Sequence, residues 1–161
     1  MGTIDSSRIR RGALGSPQRL LVPIDGTEEA LRSINYVLDK TRGGQPLEVV
    51  LLYAVAPVRS WEVLKFRTES EVRKFFQSKA DIFLQEAADS LSPADIPVIK
   101  VFREVEPVDA INAVAEEYGC TEVVMPRPDY WGLLSSRLPF KVKKACHTPV
   151  TLISSRGAPV T

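Results

Sequence analysis

Short, continuously apolar runs alternate along the chain with stretches whose apolar residues recur every three or four positions. This alternation constrains the fold more than any other feature. The clearest run is Leu47-Glu-Val-Val-Leu-Leu-Tyr-Ala-Val55, rich in β-branched and large apolar residues and closed by Pro57. Runs of this kind suit strands buried on both faces, as in a parallel sheet covered by helices. Arg19–Ile24 reads the same way, Pro97–Arg103 alternates partly as a strand nearer the sheet edge, and Glu122–Met125 and Pro149–Ser154 read as further strands.

Between the strands the period becomes helical. Ala30, Leu31, Ile34, Val37 and Leu38 place an amphipathic helix over about 27–41, with Thr27 as its N-cap and Gly43-Gly44 as its stop. Val58 to Arg67 reads as a loop carrying Trp61. Val72, Phe75, Phe76, Ala80, Phe83, Ala87 and Leu91 form one stripe of a long helix from Thr68 to Leu91, most simply a core face. Pro107 heads a third helix, with Ala110, Ile111, Val114 and Tyr118 inward and Gly119 as its cap. Pro139 opens a fourth, with Leu138, Val142 and Ala145 inward and Lys141, Lys143 and Lys144 outward.

The order β-α-β-α-β-α-β-α-β implies right-handed parallel βαβ units. The chain therefore reads as one α/β domain over 19–154, between loose tails at 1–18 and 155–161. A length of 161 residues suits one domain with a substantial core.

Charge and composition exclude several function classes. A net charge of +1 provides no global field for nucleic acid or an anionic membrane, and no apolar run approaches a membrane span. The Lys141, Lys143 and Lys144 face reads as solvated. Met1 to Gln18 lacks the apolar core of a secretory signal, which points to the cytoplasm. Cys120 and Cys146 read as small hydrophobes in a reducing compartment. With His147 as the sole histidine, His-based metal sites and a Ser/His/Asp triad lack support, so no catalytic residue is assigned and the chain reads as a non-enzyme.

The stretch Glu122-Val-Val-Met-Pro-Arg-Pro-Asp-Tyr-Trp-Gly-Leu-Leu-Ser-Ser136 locates a candidate site. It begins as a strand and breaks into a loop of Pro, Arg, Asp and aromatic residues. In open α/β sheets, ligands bind outside the carboxyl ends of the central strands.

The pieces also carry a family resemblance. Leu20-Leu-Val-Pro-Ile-Asp-Gly-Thr-Glu-Glu-Ala30 resembles the opening of universal stress protein (UspA-like) domains. Thr121–Met125 is similar to their fourth strand, and Lys141-Val-Lys-Lys-Ala-Cys-His-Thr-Pro-Val-Thr-Leu-Ile153 to their last helix and strand. The resemblance covers about 19–154 in the correct order. It implies a Rossmann-like open sheet of five parallel strands, order 3-2-1-4-5, with helices on both faces. It also implies a homodimer, joined through the C-terminal strand at 149–154.

In the family's ATP-binding members, the nucleotide lies between the Asp-containing turn after the first strand and a Gly-x-x-Gly…Gly-Ser/Thr loop after the fourth. Glycines there let backbone N–H groups reach phosphate oxygens beside a helix N-terminus. The positions so implied are Pro23, Asp25, Gly26 and Thr27, with Ala54, Met125, Arg127, Ser136 and Arg137. The first region survives. In the second, Pro126 and Asp129 stand where glycines are expected, and only six residues separate Asp129 from Ser136. Pro126 removes a donor and Asp129 adds negative charge.

Asp25 either holds an adenosine or shapes its own turn. Arg127 and Arg137 either clamp an anion, pair with Asp129 or are solvated. Tyr130 and Trp131 either stack on a base or fill the cleft. The resulting expectation is a non-catalytic regulatory dimer with no cofactor, which does not bind ATP in the family's usual manner. The alternative is an AMP- or ATP-binding module built on the Asp25 turn and the 126–137 loop. A protein partner docking at Val58–Arg67 or the Pro-rich loop fits the first reading.

Overall fold

The computed structural model describes residues 17–127 and 137–160. Within them, strands β1 (Gln18–Pro23), β2 (Leu47–Ala54), β3 (Val98–Arg103), β4 (Glu122–Pro126), β5 (Val150–Ile153) and β6 (Pro159–Val160) form one sheet. Its order is β3-β2-β1-β4-β5-β6. The first five strands are mutually parallel, and β6 runs antiparallel to β5. The helices are α1 (Ala30–Arg42), α2 (Trp61–Leu64), α3 (Glu69–Leu91), α4 (Pro107–Glu117) and α5 (Leu138–Ala145).

The sheet is buried on both faces, which explains why its strands read as unbroken apolar runs. Leu20, Val22, Val49, Leu51 and Val124 face one way, into a core with Ile34 and Val37 of α1 and Leu84 and Leu91 of α3. Leu21, Val50, Leu52, Val123 and Met125 face the other way, against Ile111 and Val114 of α4 and Val142 of α5. Along β1, β2 and β4 the alternation is thus hydrophobic toward both layers, whereas the edge strand β3 buries only Val101 fully.

Several details differ from the sequence reading. The sheet has six strands, because Pro159-Val160 of the supposed C-terminal tail pairs with Leu152 and Ile153. At the other end β1 starts at Gln18, whose N–H bonds to Pro46 O at 3.1 Å. A short helix, α2, lies within the expected loop 58–67.

Thr27 is not the N-cap of α1. That helix begins at Ala30 after Glu29, which makes no side-chain cap, and Thr27 serves the preceding turn instead. The inward stripe of α3 holds only from Ala80 on. Phe75 is 56% exposed, and Leu84 joins the core in its place. The cause is length. Twenty-three residues of helix span about 34 Å, and the eight residues of β2 only about 26 Å, so the first half of α3 overruns the sheet. Ala145, expected inward, is exposed at the last turn of α5.

The Cys120 thiol is pushed up to about 11 by burial, a rise that the nearby Arg19 guanidinium only partly offsets. Thiolate is the reactive form, so Cys120 should be carbamidomethylated by iodoacetamide much more slowly than free cysteine near neutral pH. Mass spectrometry of the labelled protein reads this rate, and labelling as fast as the free amino acid would contradict the burial argument.

Candidate functional site

The strand order reverses at β1, which has β2 on one side and β4 on the other. Crossovers leave β1 and β4 toward opposite faces there, so their carboxyl ends diverge into a crevice. Register places both ends at the same edge of the sheet, since Leu20 pairs with Glu122 and Leu21 with Val123.

Pro23 ends β1 and pairs with Leu52, and the Ile24 N–H continues the ladder to Leu52 O at 2.8 Å. The chain then turns at Asp25. Its Oδ1 accepts the Thr27 N–H at 2.9 Å and the Thr27 hydroxyl at 2.5 Å, a self-contained Asx turn. Gly26 has φ +81°, a region that suits glycine. It also lies directly under the ring of Phe83 from α3, so that an added Cβ would stand 2.5 Å from the ring edge. Phe83 in turn meets Tyr53 edge-on at 5.7 Å. Burial raises the Tyr53 pKa, and the Asp25 charge raises it further, keeping the phenol neutral beside the turn.

Ala54 closes β2, half-buried opposite Arg103. Met125 is buried in β4 against the α4–α5 layer. Pro126 belongs to the strand and pairs with Ile153. The Arg127 N–H donates to Ile153 O at 2.7 Å, and its carbonyl accepts from Arg32 Nη1 at 3.2 Å. Arg137 stands exposed at the start of α5. Ser136, Asp129, Tyr130, Trp131 and Gly132 lie outside the described residues.

The structure thus brings Pro23, Asp25, Gly26, Thr27, Ala54, Met125 and Arg127 to one end of the sheet. It also adds two residues that the sequence reading passed over. Arg32 reaches from α1 across to the end of β4, and Phe83 closes over Gly26. A signal for Arg32 existed: a cation in the first turn of a helix opposes the helix dipole, and such local conflicts are expected near sites. No comparable pattern marked Phe83, which read as one more core residue.

Among the described residues no group of His, Cys, Asp or Glu could hold a metal ion, and no helix is long and apolar enough to cross a membrane. His147 lies on the surface, where its Nδ1 sits 2.9 Å from Glu116 Oε1.

Comparison with known proteins agrees with the fold. No curated protein matches the chain. Among solved structures, a chain described as a structural-genomics test case is 20% identical with a TM-score of 0.71, over 85% of this chain and 95% of that one. A universal stress protein in complex with cAMP is 20% identical with a TM-score of 0.61, over 86% and 97%. A universal stress protein family protein from Arabidopsis thaliana with AMP bound is 15% identical with a TM-score of 0.61, over 86% and 92%. At these identities the likeness is one of fold. Residues 17–152 match the model of the universal stress protein family. Together with the doubly wound sheet and the Asp-Gly-Thr turn at its switch point, that match makes the chain a member of the universal stress protein family.

Proposed function

We propose that the protein is a non-catalytic, cytoplasmic regulatory homodimer of the stress-response type, whose switch-point crevice does not hold ATP in the family's usual manner. The observation that carries this reading is the end of β4. Pro126 lies within the strand and has no N–H to offer a phosphate, where a glycine-lined phosphate loop would begin. The other side supports it, because the Asp25 carboxylate oxygen accepts two bonds from its own turn. Two free cysteines suit a reducing compartment. Titration calorimetry with Mg-ATP tests the claim, and micromolar binding would overturn it.

The structural relatives favour a second reading. Two of them hold cAMP or AMP, nucleotides with a single phosphate. Such a ligand needs fewer backbone donors than ATP, and Arg32 and Arg127 supply cations at the end of β4. On this reading AMP raises the melting temperature more than ATP does, and no shift with either counts against it.

The dimer is proposed to form at the β5 edge. β6 covers Leu152 and Ile153 on that edge, so it competes with a second copy for the same backbone groups. Deleting residues 155–161 should therefore tighten dimerisation several-fold in sedimentation equilibrium. Monomers at all concentrations in both forms would contradict a β5 interface.

A further inference from the structure

Beyond the crevice, the surface formed by α2 and the overrunning half of α3 has a composition that core packing does not explain. Trp61 is 67% exposed, Phe66 79% and Phe75 56%, with Val63 also exposed. Large exposed apolar groups gathered in one place mark interaction sites. Of these, Val63 and Phe75 line a groove of about 410 Å³ together with Val58, Val72, Phe76, Arg67 and Glu71. That volume falls in the range of sites that receive ligand or partner side chains.

The charge along the segment that carries the groove is one-sided. Between Arg59 and Lys79 stand Arg59, Lys65, Arg67, Arg73, Lys74 and Lys79, against Glu62, Glu69 and Glu71. Glu71 Oε2 accepts the Thr68 N–H at 2.8 Å in a capping box, which fixes its carboxylate at the start of α3. Arg73 is matched by Glu104 at 3.6 Å. Lys65 lies over the rings of Trp61 and Phe66 at 5.2 and 5.6 Å, and Lys79 over Phe75 and Phe83 at the same distances. An ammonium over a ring keeps its N–H donors available to a carboxylate, while the ring offers apolar area beside it.

The geometry points to the α2–α3 groove as a docking site for an acidic amphipathic helix of another protein, its apolar residues entering the groove and its carboxylates meeting Lys65, Arg67 and Lys79. This is the helix-in-groove mode, read by anchors three and four residues apart. The chain's own residues 1–16 fit poorly, because Arg8, Arg10 and Arg11 outnumber Asp5 and would meet like charge. A lipid surface fits less well than a helix, since the apolar area lies in a groove and not on a flat face.

The test is selection from a random displayed-peptide library on the full-length protein, with counter-selection on the Phe75→Ser variant. The inference expects winners rich in Asp and Glu, with large apolar residues three or four positions apart. A synthesised winner should bind about tenfold or more weakly to Phe75→Ser, a loss of about 1.4 kcal/mol. It should also bind more weakly to Lys65→Glu and at raised salt. Both positions are exposed, and matched circular dichroism and thermal melts confirm that the variants fold.

Basic winners, no winners, or winners indifferent to Phe75→Ser would overturn it. So would Phe75-dependent sedimentation with vesicles of phosphatidylcholine and phosphatidylserine, which would assign the face to a membrane. Self-association lost in Phe66→Ser would assign it to a second copy. Peptide binding that appears only after residues 1–16 are removed would assign it to the chain's own N-terminal segment.

Discussion

Replacing Glu122 by Ala should lower the unfolding free energy by about 2–4 kcal/mol, seen as a lower urea midpoint with an unchanged slope. Glu122 opens β4 with its side chain 14% exposed and joins three elements. Its Oε1 accepts from Lys40 Nζ at 3.0 Å, and its Oε2 from the Tyr36 hydroxyl at 3.2 Å, both from α1. Its Oε2 also accepts from the Thr151 hydroxyl of β5. Removing the carboxylate leaves a half-buried ammonium with weaker partners, Gln18 Oε1 at 3.3 Å and the Tyr36 hydroxyl. A loss below about 0.5 kcal/mol, the size of an ordinary surface change, would contradict this account.

The same cluster has a pH signature. Burial lowers the Lys40 pKa, but the hydrogen bond and charge of Glu122, with a contribution from Tyr36, more than offset it, so the net shift is upward from 10.5. A cation favoured in the folded state stabilises fully below its unfolded value and is lost as pH rises through its folded value. Stability should therefore fall above pH 10.5 in the native protein, and fall less steeply there in Lys40→Met.

Gly26→Ala should cost about 2–4 kcal/mol, from two separable sources. The φ of +81° strains any residue with a Cβ by about 1–2 kcal/mol. The second source is steric, because the new Cβ would lie 2.5 Å from the Phe83 ring, which also packs edge-on against Tyr53. Phe83→Leu alone gives up the aromatic contact, worth about 0.5–1.5 kcal/mol. In the double variant it should relieve the clash but not the strain, so the combined loss should fall short of the sum. Strict additivity in a urea double-mutant cycle would show that Phe83 does not press on the turn.

These two residues also mark how far the sequence could be read. The β-α alternation was legible because strands buried on both faces are continuous apolar runs, and Leu47–Ala54 could hardly be anything else. The strand β6 was not, because two residues of Pro-Val carry no period and form a strand only through a long-range edge. The stripe Val72–Leu91 identified a face of α3 but not what covers it, which depends on helix length against sheet length. At the site, Asp25-Gly26-Thr27 was legible as a turn because its hydrogen bonds are local. Arg32 was missed because its partner, the Arg127 carbonyl, lies ninety-five residues away.

The most direct test of the central claim is isothermal titration of the full chain with Mg-ATP, run beside AMP. Pro126 in the strand and a self-bonded Asp25 predict no saturable heat with ATP at concentrations that saturate a micromolar site. Saturable micromolar binding of ATP, abolished by Asp25→Ala, would contradict the account and restore the usual nucleotide to the crevice.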